Sequence, residues 1–298
     1  MQEQVKIKPF SIVRLKFLMG VYVELTKSLQ TALLVITGIT GFISGTGKFF
    51  EWKMLFAFTI ILFLTIAGTT VFNMIWDKDI DAIMHRTCRR PLPSAKITSN
   101  HAFVFGLLIL SIGLVWGFFL SPKYAAVLFA GFFFDFVIYT IWLKRKTSWS
   151  IVWGGISGAM PILAGRVLAI GYIDLVGLWL VLGILLWIPI HILTFAIKYD
   201  SDYRRANVPT FVQTLGIKKA RIIIALSSIF STLAFISAAG ALSISSIYVV
   251  FLCILASILI FLSLYFIVKP SDKVNFLLFK SASLFMLLAN VVIIIGKL

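Results

Sequence analysis

Charged residues, and acidic ones above all, are scarce in this sequence. Only 13% of its 298 residues are charged and only 11 are acidic, whereas 60% are hydrophobic and the mean hydropathy is +1.05. Soluble domains carry about 25% charged residues, so this chain has too little polar surface for a soluble globule. The composition therefore indicates a membrane protein.

Short segments of alternating polarity, which are typical of a transmembrane β-barrel, are also missing. The apolar runs are long and continuous, and they repeatedly reach the roughly 20 residues that cross a bilayer as a helix. Because the bilayer core offers no water, backbone groups must form hydrogen bonds within each segment. We predict an all-α polytopic membrane protein with a single domain over residues 1–298.

The predicted bundle has about nine transmembrane helices, bounded by charged or turn-forming residues. They are expected at residues 29–47, 53–76, 101–120, 124–142, 150–170, 175–197, 220–241, 244–268 and 275–296. Residues 1–27 have neither a long apolar stretch nor a cleavage site of small residues. We therefore expect a cytoplasmic, interfacial helix there and not a removed signal peptide.

Cysteine occurs only twice in the chain. Cys88 lies in a predicted loop and Cys253 lies within the eighth predicted helix. From the predicted topology we do not expect them to pair, and two cysteines so placed do not suggest a metal–thiolate site. We expect neither residue to take part in function.

The net charge of +16 comes from 27 lysines and arginines against the 11 acids. The cations lie mainly in the N-terminal segment and in the loops after the second, fourth, sixth and eighth predicted helices. Cationic loops stay in the cytoplasm, so we expect the N-terminus inside the cell membrane and the C-terminus outside. The expected partner of most cations is the lipid bilayer, and no nucleic-acid partner is predicted.

Three of the acids lie at the end of the second predicted helix. There Asn73, Asp77 and Asp81 follow each other at four-residue spacing, which puts them on one helical face and turns Asp79 away. Two carboxylates about 6 Å apart repel by roughly 3 kcal/mol at an effective dielectric of 20. A cation must offset this repulsion. Lysine or arginine could do so, but the amide and carboxylate oxygens are also the kind of ligand that Mg²⁺ accepts.

An arginine-rich stretch with Arg89, Arg90 and Pro91 follows these acids. Arginine supplies planar, paired donors for phosphate oxygens. The two features together favour a site for a metal-bound diphosphate. The alternative is that the acids only cap the helix or form salt bridges, and the four-residue register argues against it.

A second acidic pair, Asp200 and Asp202, follows the sixth predicted helix, four helices after the first cluster. This recurrence predicts two four-helix halves plus a ninth helix, with both acidic ends facing one cavity. A spacing of two does not put both acids on one helical face, so one of them is a candidate cap residue. His191, two turns earlier, either bonds a neighbouring helix or belongs to the site.

Several stretches between the first and seventh predicted helices form a specific combination. They are Leu25-Thr26-Lys27; Asp77 to Asp81 with Met84, Arg86, Thr87 and Arg89-Arg90-Pro91-Leu92; Tyr139-Thr140 with Leu143-Lys144-Arg145; Gly154-Gly155 with Gly158-Ala159 and Pro161; and Asp202-Tyr203 with Ala206-Asn207-Val208-Pro209. The combination resembles the UbiA-type intramembrane prenyltransferases, and within them the haem-modifying branch. That branch usually has two aromatic residues after the histidine, where Ile192 and Leu193 stand here.

The resemblance implies transfer of a farnesyl group from farnesyl diphosphate, or of a longer prenyl group, to a vinyl group of haem B. It implies Mg²⁺ as the cofactor. The implied metal ligands are Asn73, Asp77, Asp81 and Asp202, and the three aspartates are also the implied catalytic residues. The implied diphosphate contacts are Arg86, Arg89, Arg90, Lys144 and Arg145, and the implied acceptor contacts are His191, Tyr139 and Asp135.

Asp135 lies within a run of phenylalanines, which offers walls for an allylic cation. Such a run is also typical of lipid-facing or packing residues, which is the simpler interpretation of Phe132, Phe133, Phe134 and Phe136. A charge at the depth of Asp135 is expected either to line a wet cavity or to pair with another helix.

Two other functions remain open from the sequence. A related enzyme that prenylates a quinone precursor or a glycerol-phosphate lipid would share the metal site and differ in the acceptor pocket. A transporter would also fit duplicated halves, but transporters place substrate ligands near the bilayer midplane. Here the carboxylates lie at helix ends, which favours an enzyme.

Overall fold

The computed structural model describes residues 12–298, with side chains from residue 16 onward. Every regular element in this part of the chain is a helix, so the predicted all-α class is confirmed. The interfacial helix predicted for residues 1–27 falls partly on residues 1–11, which lie outside the described residues. From Ile12 onward that segment is helical.

Most of the helices follow one another with short connections, and a longer loop joins α4 to α5. They are α1 (Ile12–Leu25), α2 (Ser28–Thr46), α3 (Trp52–Trp76), α4 (Lys78–Ile83), α5 (Ser99–Leu120), α6 (Pro122–Phe132), α7 (Ser150–Ile170), α8 (Leu175–Lys198), α9 (Asp200–Arg205), α10 (Phe211–Thr214), α11 (Ile217–Ala241), α12 (Ser246–Val268) and α13 (Asp272–Lys297). A π-helix over Phe133–Leu143 continues α6 without a break.

Nine helical segments of the described chain are long and apolar enough to cross a membrane, as predicted. They are α2, α3, α5, α6 with its π-helical continuation, α7, α8, α11, α12 and α13. The chain is thus a multi-pass membrane protein. Two helices, α5 and α13, begin two and three residues before their predicted spans because polar caps start them: Thr98 caps α5, and Ser271 caps α13 through the N–H of Val274.

The two predicted halves repeat one packing pattern. In the first half α3 packs on α5 and is followed by the short α4, and in the second half α8 packs on α11 and is followed by the short α9. The first helices of the halves, α2 and α7, pack on each other, and α13 contacts α2, α8 and α12. This arrangement brings the ends of α3 and α8 to the same side of the bundle.

Glycine lets α2 and α7 approach until their backbones touch. A Cβ atom on Gly41 would lie 1.9 Å from the carbonyl oxygen of Ile162, and one on Gly165 would lie 2.0 Å from that of Gly38. Small residues at helix contacts are the usual basis of tight packing in membranes, where apolar burial drives association weakly. The contact between the halves therefore depends on the absence of side chains at these positions.

A buried ion pair closes the opposite end of this contact. Arg166 of α7 donates from Nη2 to Oδ2 of Asp174 at 2.6 Å and from Nη1 to Ser44 Oγ of α2 at 3.0 Å. The hydrogen bonds from Arg166 lower the pKa of Asp174 below its ordinary value. Since these groups lie at the far end of α2 and α7 from the predicted site, we assign them a structural role.

A glycine substitution tests the backbone contact. We expect Gly165→Ala to destabilise the protein by about 1–3 kcal/mol, because the new methyl group overlaps the backbone of α2. Gly240→Ala in α11 is the matched control, because nothing lies within 4 Å of its Cβ position. Thermal unfolding in detergent measures both, and an equal effect of the two substitutions would contradict the role of close packing.

Candidate active site

The end of α3 carries the first acidic motif. The helix ends at Trp76, but the N–H of Asp77 still bonds the carbonyl of Asn73 at 2.9 Å, and the N–H of Asp81 bonds that of Asp77 at 2.8 Å. The predicted four-residue ladder thus continues through the break into α4. Asp77 and Asp81 are 6% and 4% exposed, whereas the side chain of Asp79 is 64% exposed.

Two cations from different elements pair with the buried acids. Lys144, just after the π-helix, donates its ammonium group to Oδ2 of Asp77. Arg90, in the loop after α4, donates from Nη1 to Oδ2 of Asp81 at 2.7 Å. Buried carboxylates require such partners, because an uncompensated charge in the interior costs several kcal/mol. The repulsion expected from the sequence is therefore offset within the protein.

Lys27, between α1 and α2, is absent from the site predicted by sequence. Its backbone is left-handed, with φ 43° and ψ 52°. Burial lowers the pKa of Lys27 to about 8, the charges of Arg90 and Lys144 act in the same direction, and those of Asp81 and Asp77 oppose them. A third cation therefore lies near the same two acids. The signal for it in the sequence was its place in the Leu-Thr-Lys stretch of the family resemblance.

Arg145 lies on the exposed side of the same helix end. It binds both carboxylate oxygens of Asp79, at 2.6 and 2.7 Å, and donates to the carbonyl of Trp76 at 2.8 Å. The hydrogen bonds from Arg145 lower the pKa of Asp79 below its ordinary value. Because this pair is exposed to solvent, we expect it to contribute at most about 1 kcal/mol to stability.

The π-helix orients Asn73. Asp135 Oδ2 accepts from Asn73 Nδ2 at 2.6 Å, and Thr140 donates its hydroxyl to Asn73 Oδ1 at 3.0 Å. Asp135 and Thr140 are five residues apart. A π-helix forms hydrogen bonds between residues at this spacing, as from Lys144 N to Tyr139 O at 2.8 Å, and so brings them onto one face. In an α-helix they would diverge by about 140°. Asp135 is thus an interhelical partner of Asn73.

Asp202 joins the second half to the first. Its two carboxylate oxygens accept the backbone N–H groups of His85 and Arg86, each at 3.2 Å. Asp200 instead pairs with Arg204 at 2.6 Å within α9 and accepts from Gln213 at 3.2 Å. The two acidic helix ends therefore meet, and Asp202 is the member of the second motif that faces the first.

The two remaining predicted phosphate contacts lie in the loop after α4. The guanidinium carbon of Arg86 lies 4.8 Å from the ring centre of Phe195 and 5.7 Å from that of Tyr199, both near the end of α8. Arg89 is exposed. Of the five predicted cations, Lys144 and Arg90 contact the buried acids, Arg86 faces α8, and Arg145 faces the outside.

His191 is stacked between two rings at the contact of α8 and α13. The ring centres of Trp187 and Phe279 lie 4.8 and 4.6 Å away, and Ser283 Oγ lies 3.3 Å from its Nδ1. His191 thus bonds a neighbouring helix, which is one of its two expected roles. It also lies one turn from Phe195, which contacts Arg86, so a role in the site stays a prediction. No hydrogen bond or ring contact among the described residues joins it to Tyr139 or Asp135, the other predicted acceptor contacts.

An apolar cavity of about 210 Å³ lies between α2, α3, α6 and α7. Its lining is composed of aliphatic, threonine and glycine residues with Phe132, and Asp135 is the charged residue among them. Asp135 therefore both lines a cavity and bonds another helix, which combines the two expectations for it. The neighbouring Phe133 is exposed, and Phe134 stacks on Trp153. The phenylalanine run is thus divided between cavity and surface.

The residues around Asp77 and Asp81 can accommodate a magnesium ion, although they do not form a complete set of protein ligands for it. Among the described side chains, no three histidines, cysteines or acids come close enough to hold a metal on their own. Mg²⁺, however, usually keeps several waters and takes only one or two protein carboxylates together with phosphate oxygens. Asp77 Oδ1 is buried without a hydrogen-bond partner, and Arg90 occupies only Oδ2 of Asp81. These free oxygens fit such an ion.

Comparison with known proteins identifies the relatives of this chain. The model of the UbiA prenyltransferase family matches residues 34–291. A protein named protoheme IX farnesyltransferase from Archaeoglobus fulgidus is 39% identical over 259 residues, which cover 87% of this chain and 85% of that protein. Protoheme IX farnesyltransferase 1 of Pyrobaculum aerophilum is 34% identical over 289 residues, covering 94% and 100%.

Solved structures share the fold at lower identity. A structure of digeranylgeranylglyceryl phosphate synthase superposes with a TM-score of 0.78 at 20% identity and covers 94% of this chain and 98% of its own. A UbiA homologue from Archaeoglobus fulgidus, bound to GPP and Mg²⁺, superposes with a TM-score of 0.67 at 11% identity, covering 92% and 99%. At these identities the likeness concerns the fold.

The bridge formed by Asp202 is testable without any substrate. We expect Asp202→Ala to speed amide hydrogen exchange at His85 and Arg86 by roughly tenfold, because each N–H loses a charged acceptor worth about 1.5 kcal/mol. Asp200→Ala is the matched control, since its ion pair lies within α9. Equal exchange at these two amides in both variants would show that Asp202 does not order the loop.

Proposed function

The chain belongs to the UbiA prenyltransferase family, and we propose that it transfers a farnesyl group from farnesyl diphosphate to a vinyl group of haem B. The observation that carries this proposal is the buried pair Asp77 and Asp81, surrounded by cations at one end of the bundle. The acceptor is supported by the relatives named protoheme IX farnesyltransferase, at 34–40% identity.

The proposed reaction separates charge at the first carbon of the prenyl chain. Its bond to the diphosphate oxygen breaks, the terminal vinyl carbon of the acceptor bonds to that carbon, and water adds a hydroxyl group to the other vinyl carbon while losing a proton. The leaving diphosphate gains negative charge, which fixed cations stabilise. Arg86, Arg89, Arg90, Lys144 and Arg145 are the proposed contacts.

Magnesium is the proposed cofactor, with Asp77 and Asp81 as its direct ligands. When bound, Mg²⁺ would neutralise charge on the diphosphate as the carbon–oxygen bond breaks. Asn73 and Asp202 complete the predicted ligand set, and both already accept hydrogen bonds from protein groups. Direct contact with the ion would require those bonds to be exchanged. In either case these two residues align the helix ends that present the acids.

The apolar cavity beside Asp135 is the proposed site of the prenyl chain. It lies between α2, α3, α6 and α7; α3 carries Asn73 and ends next to Asp77, and the π-helix that continues α6 ends next to Lys144. Apolar walls suit an isoprenoid and keep water from the allylic cation. A longer prenyl chain is the alternative donor. Tyr139 and Asp135, predicted as acceptor contacts, would then lie beside the donor.

The proposed location is the cell membrane, with the active site facing the cytoplasm. The cationic loops lie at the ends of α3, the π-helix and α8, which is the end that carries the acids. By the positive-inside rule this end stays in the cytoplasm. The donor and the acceptor, which are both amphipathic anions, would then reach the site from the inner leaflet or the cytoplasm.

A related acceptor is the second candidate, because the fold also superposes on digeranylgeranylglyceryl phosphate synthase. Such an enzyme would act on a glycerol-phosphate lipid, and a further relative would act on a quinone precursor. Purified protein incubated with farnesyl diphosphate and each acceptor class separates these possibilities. The proposed activity gives a haem whose mass rises by one farnesyl group and one hydroxyl group.

Charge removal at the buried acids tests the proposed metal site. We expect Asp77→Asn and Asp81→Asn each to lower Mg²⁺-dependent turnover by roughly 100-fold or more, because each loses charge facing the ion. Thermal unfolding of both variants checks the fold, because asparagine keeps the shape of the side chain but leaves Lys144 or Arg90 without its charged partner. Mass spectrometry of the haem product measures turnover.

Asp79→Asn is the matched control for that experiment. It removes the same charge from the same helix end, but the side chain is exposed and paired with Arg145. We expect nearly unchanged turnover. Full activity of both buried variants, or equal loss in all three, would contradict the assignment of the buried pair.

A substitution at His191 tests whether this residue contributes to binding of the acceptor and not of the donor. We expect His191→Ala to weaken haem B binding by about tenfold, because the rings of Trp187 and Phe279 lose the ring that stacks between them and holds them in place. Farnesyl diphosphate binding should stay nearly intact. Ile192→Ala, at the exposed neighbouring position, is the control. Absorbance titration measures haem affinity, and equal loss of both substrates in His191→Ala would indicate a general structural role instead.

A further inference from the structure

A continuous surface of rings runs along α8 next to the buried acids. Trp187, His191 and Phe195 recur every four residues of α8, and Tyr199 follows its last residue. The ring centres of Trp187 and His191 lie 4.8 Å apart, and those of Phe195 and Tyr199 lie 4.6 Å apart. Phe279 of α13 extends it, with its ring centre 4.6 Å from that of His191 and 6.0 Å from that of Phe195. We call these five residues the ring surface.

The ring surface is linked to the acidic site through one arginine. The backbone N–H of Arg86 bonds Asp202, and the guanidinium group of the same residue lies over Phe195 and Tyr199. A molecule on the ring surface would therefore lie beside the loop that carries Arg89 and Arg90. This position suits the acceptor of a group transferred from a bound diphosphate.

Two exposed lysines flank the cytoplasmic end of this surface. The ammonium groups of Lys198 and Lys280 lie 4.2 and 4.5 Å from the centre of the same ring, that of Phe276. Lys198 also lies 5.3 Å from the ring centre of Tyr199. Neither lysine has an acidic partner among the described side chains. Two like charges over one ring repel, and an anion between them would offset that repulsion.

We propose that Lys198 and Lys280 bind the two carboxylates of the acceptor while the ring surface holds its flat body. This inference rests on the proposed function, because haem B combines a planar apolar ring with two propionates on one edge. Its vinyl groups lie on the opposite edges, so propionates held at the lysines direct a vinyl group away from the cytoplasm. The acceptor would then be bound both by aromatic contacts with its flat body and by ammonium–carboxylate pairs with its propionates.

The origin of the rings supports this assignment. Trp187 of α8 and Phe279 of α13 both stack on His191, with ring centres 4.8 and 4.6 Å away. The aromatic site around His191 is therefore assembled from two helices.

The experiment compares two porphyrins that differ only in their carboxylates. Protein in nanodiscs of neutral phosphatidylcholine is titrated with haem B and with its dimethyl ester, and binding is followed by absorbance. We expect the wild-type protein to bind haem B at least about tenfold more tightly than the ester, since one ammonium–carboxylate pair is worth about 1.4 kcal/mol here.

The double variant Lys198→Gln/Lys280→Gln then tests the lysines. We expect it to lose the preference for haem B and to bind the ester as the wild type does. Lys273→Gln, an exposed lysine of α13 without a ring contact, should change neither affinity. Unchanged affinity for farnesyl diphosphate in all variants reports an intact fold.

Several outcomes would overturn the assignment. Equal weakening of haem B and the ester in the double variant would mean that the lysines do not contact carboxylates. A loss seen only in discs that contain phosphatidylglycerol would assign the lysines to lipid headgroups. If the wild-type protein binds both porphyrins equally, only the carboxylate site is wrong, whereas a wild type that binds neither overturns the proposed acceptor as well.

Discussion

The structure depends on the neutralisation of two buried carboxylates at the end of α3. Asp77 and Asp81 lie one helical turn apart with almost no solvent, so their charges must be compensated by other groups. Two cations from separate parts of the chain contact the acids, Arg90 after α4 and Lys144 after the π-helix, and Lys27 before α2 lies close enough for its charge to interact with theirs. Holding them there fixes how the first half of the bundle closes around the end that carries the acids.

The π-helix is the local feature that makes this compensation fit. Its winding brings Asp135 and Thr140 onto the face that bonds Asn73, and it places Lys144 where the ammonium group reaches Asp77. An α-helix of the same sequence would turn Asp135 and Thr140 to different sides. π-Helical segments are rare and frequently accompany functional sites, and here the cause is visible in the contacts with α3.

The site has two sides that one loop connects. The cavity between α3, α6 and α7 forms the proposed donor side, and the ring surface of α8 and α13 forms the proposed acceptor side. The loop after α4 lies between them, because Asp202 binds its backbone and the Arg86 guanidinium stacks on α8. The two halves thus differ in their chemistry: the first carries the buried acids and the apolar cavity, and the second carries the aromatic rings.

By itself the sequence determined the class, the nine spans and the acid ladder, because apolar run length and four-residue spacing are properties of neighbouring residues. It also indicated Asp202 as part of the second motif, but it did not predict that Asp202 bonds the backbone of His85 and Arg86. Only the tertiary structure decided which cations meet which acids, that Lys27 joins them, that Asp135 bonds Asn73, and that α13 supplies a ring to His191. Each of these contacts joins residues far apart in the chain, and their geometry depends on helix packing and on a π-helical register that no local pattern encodes.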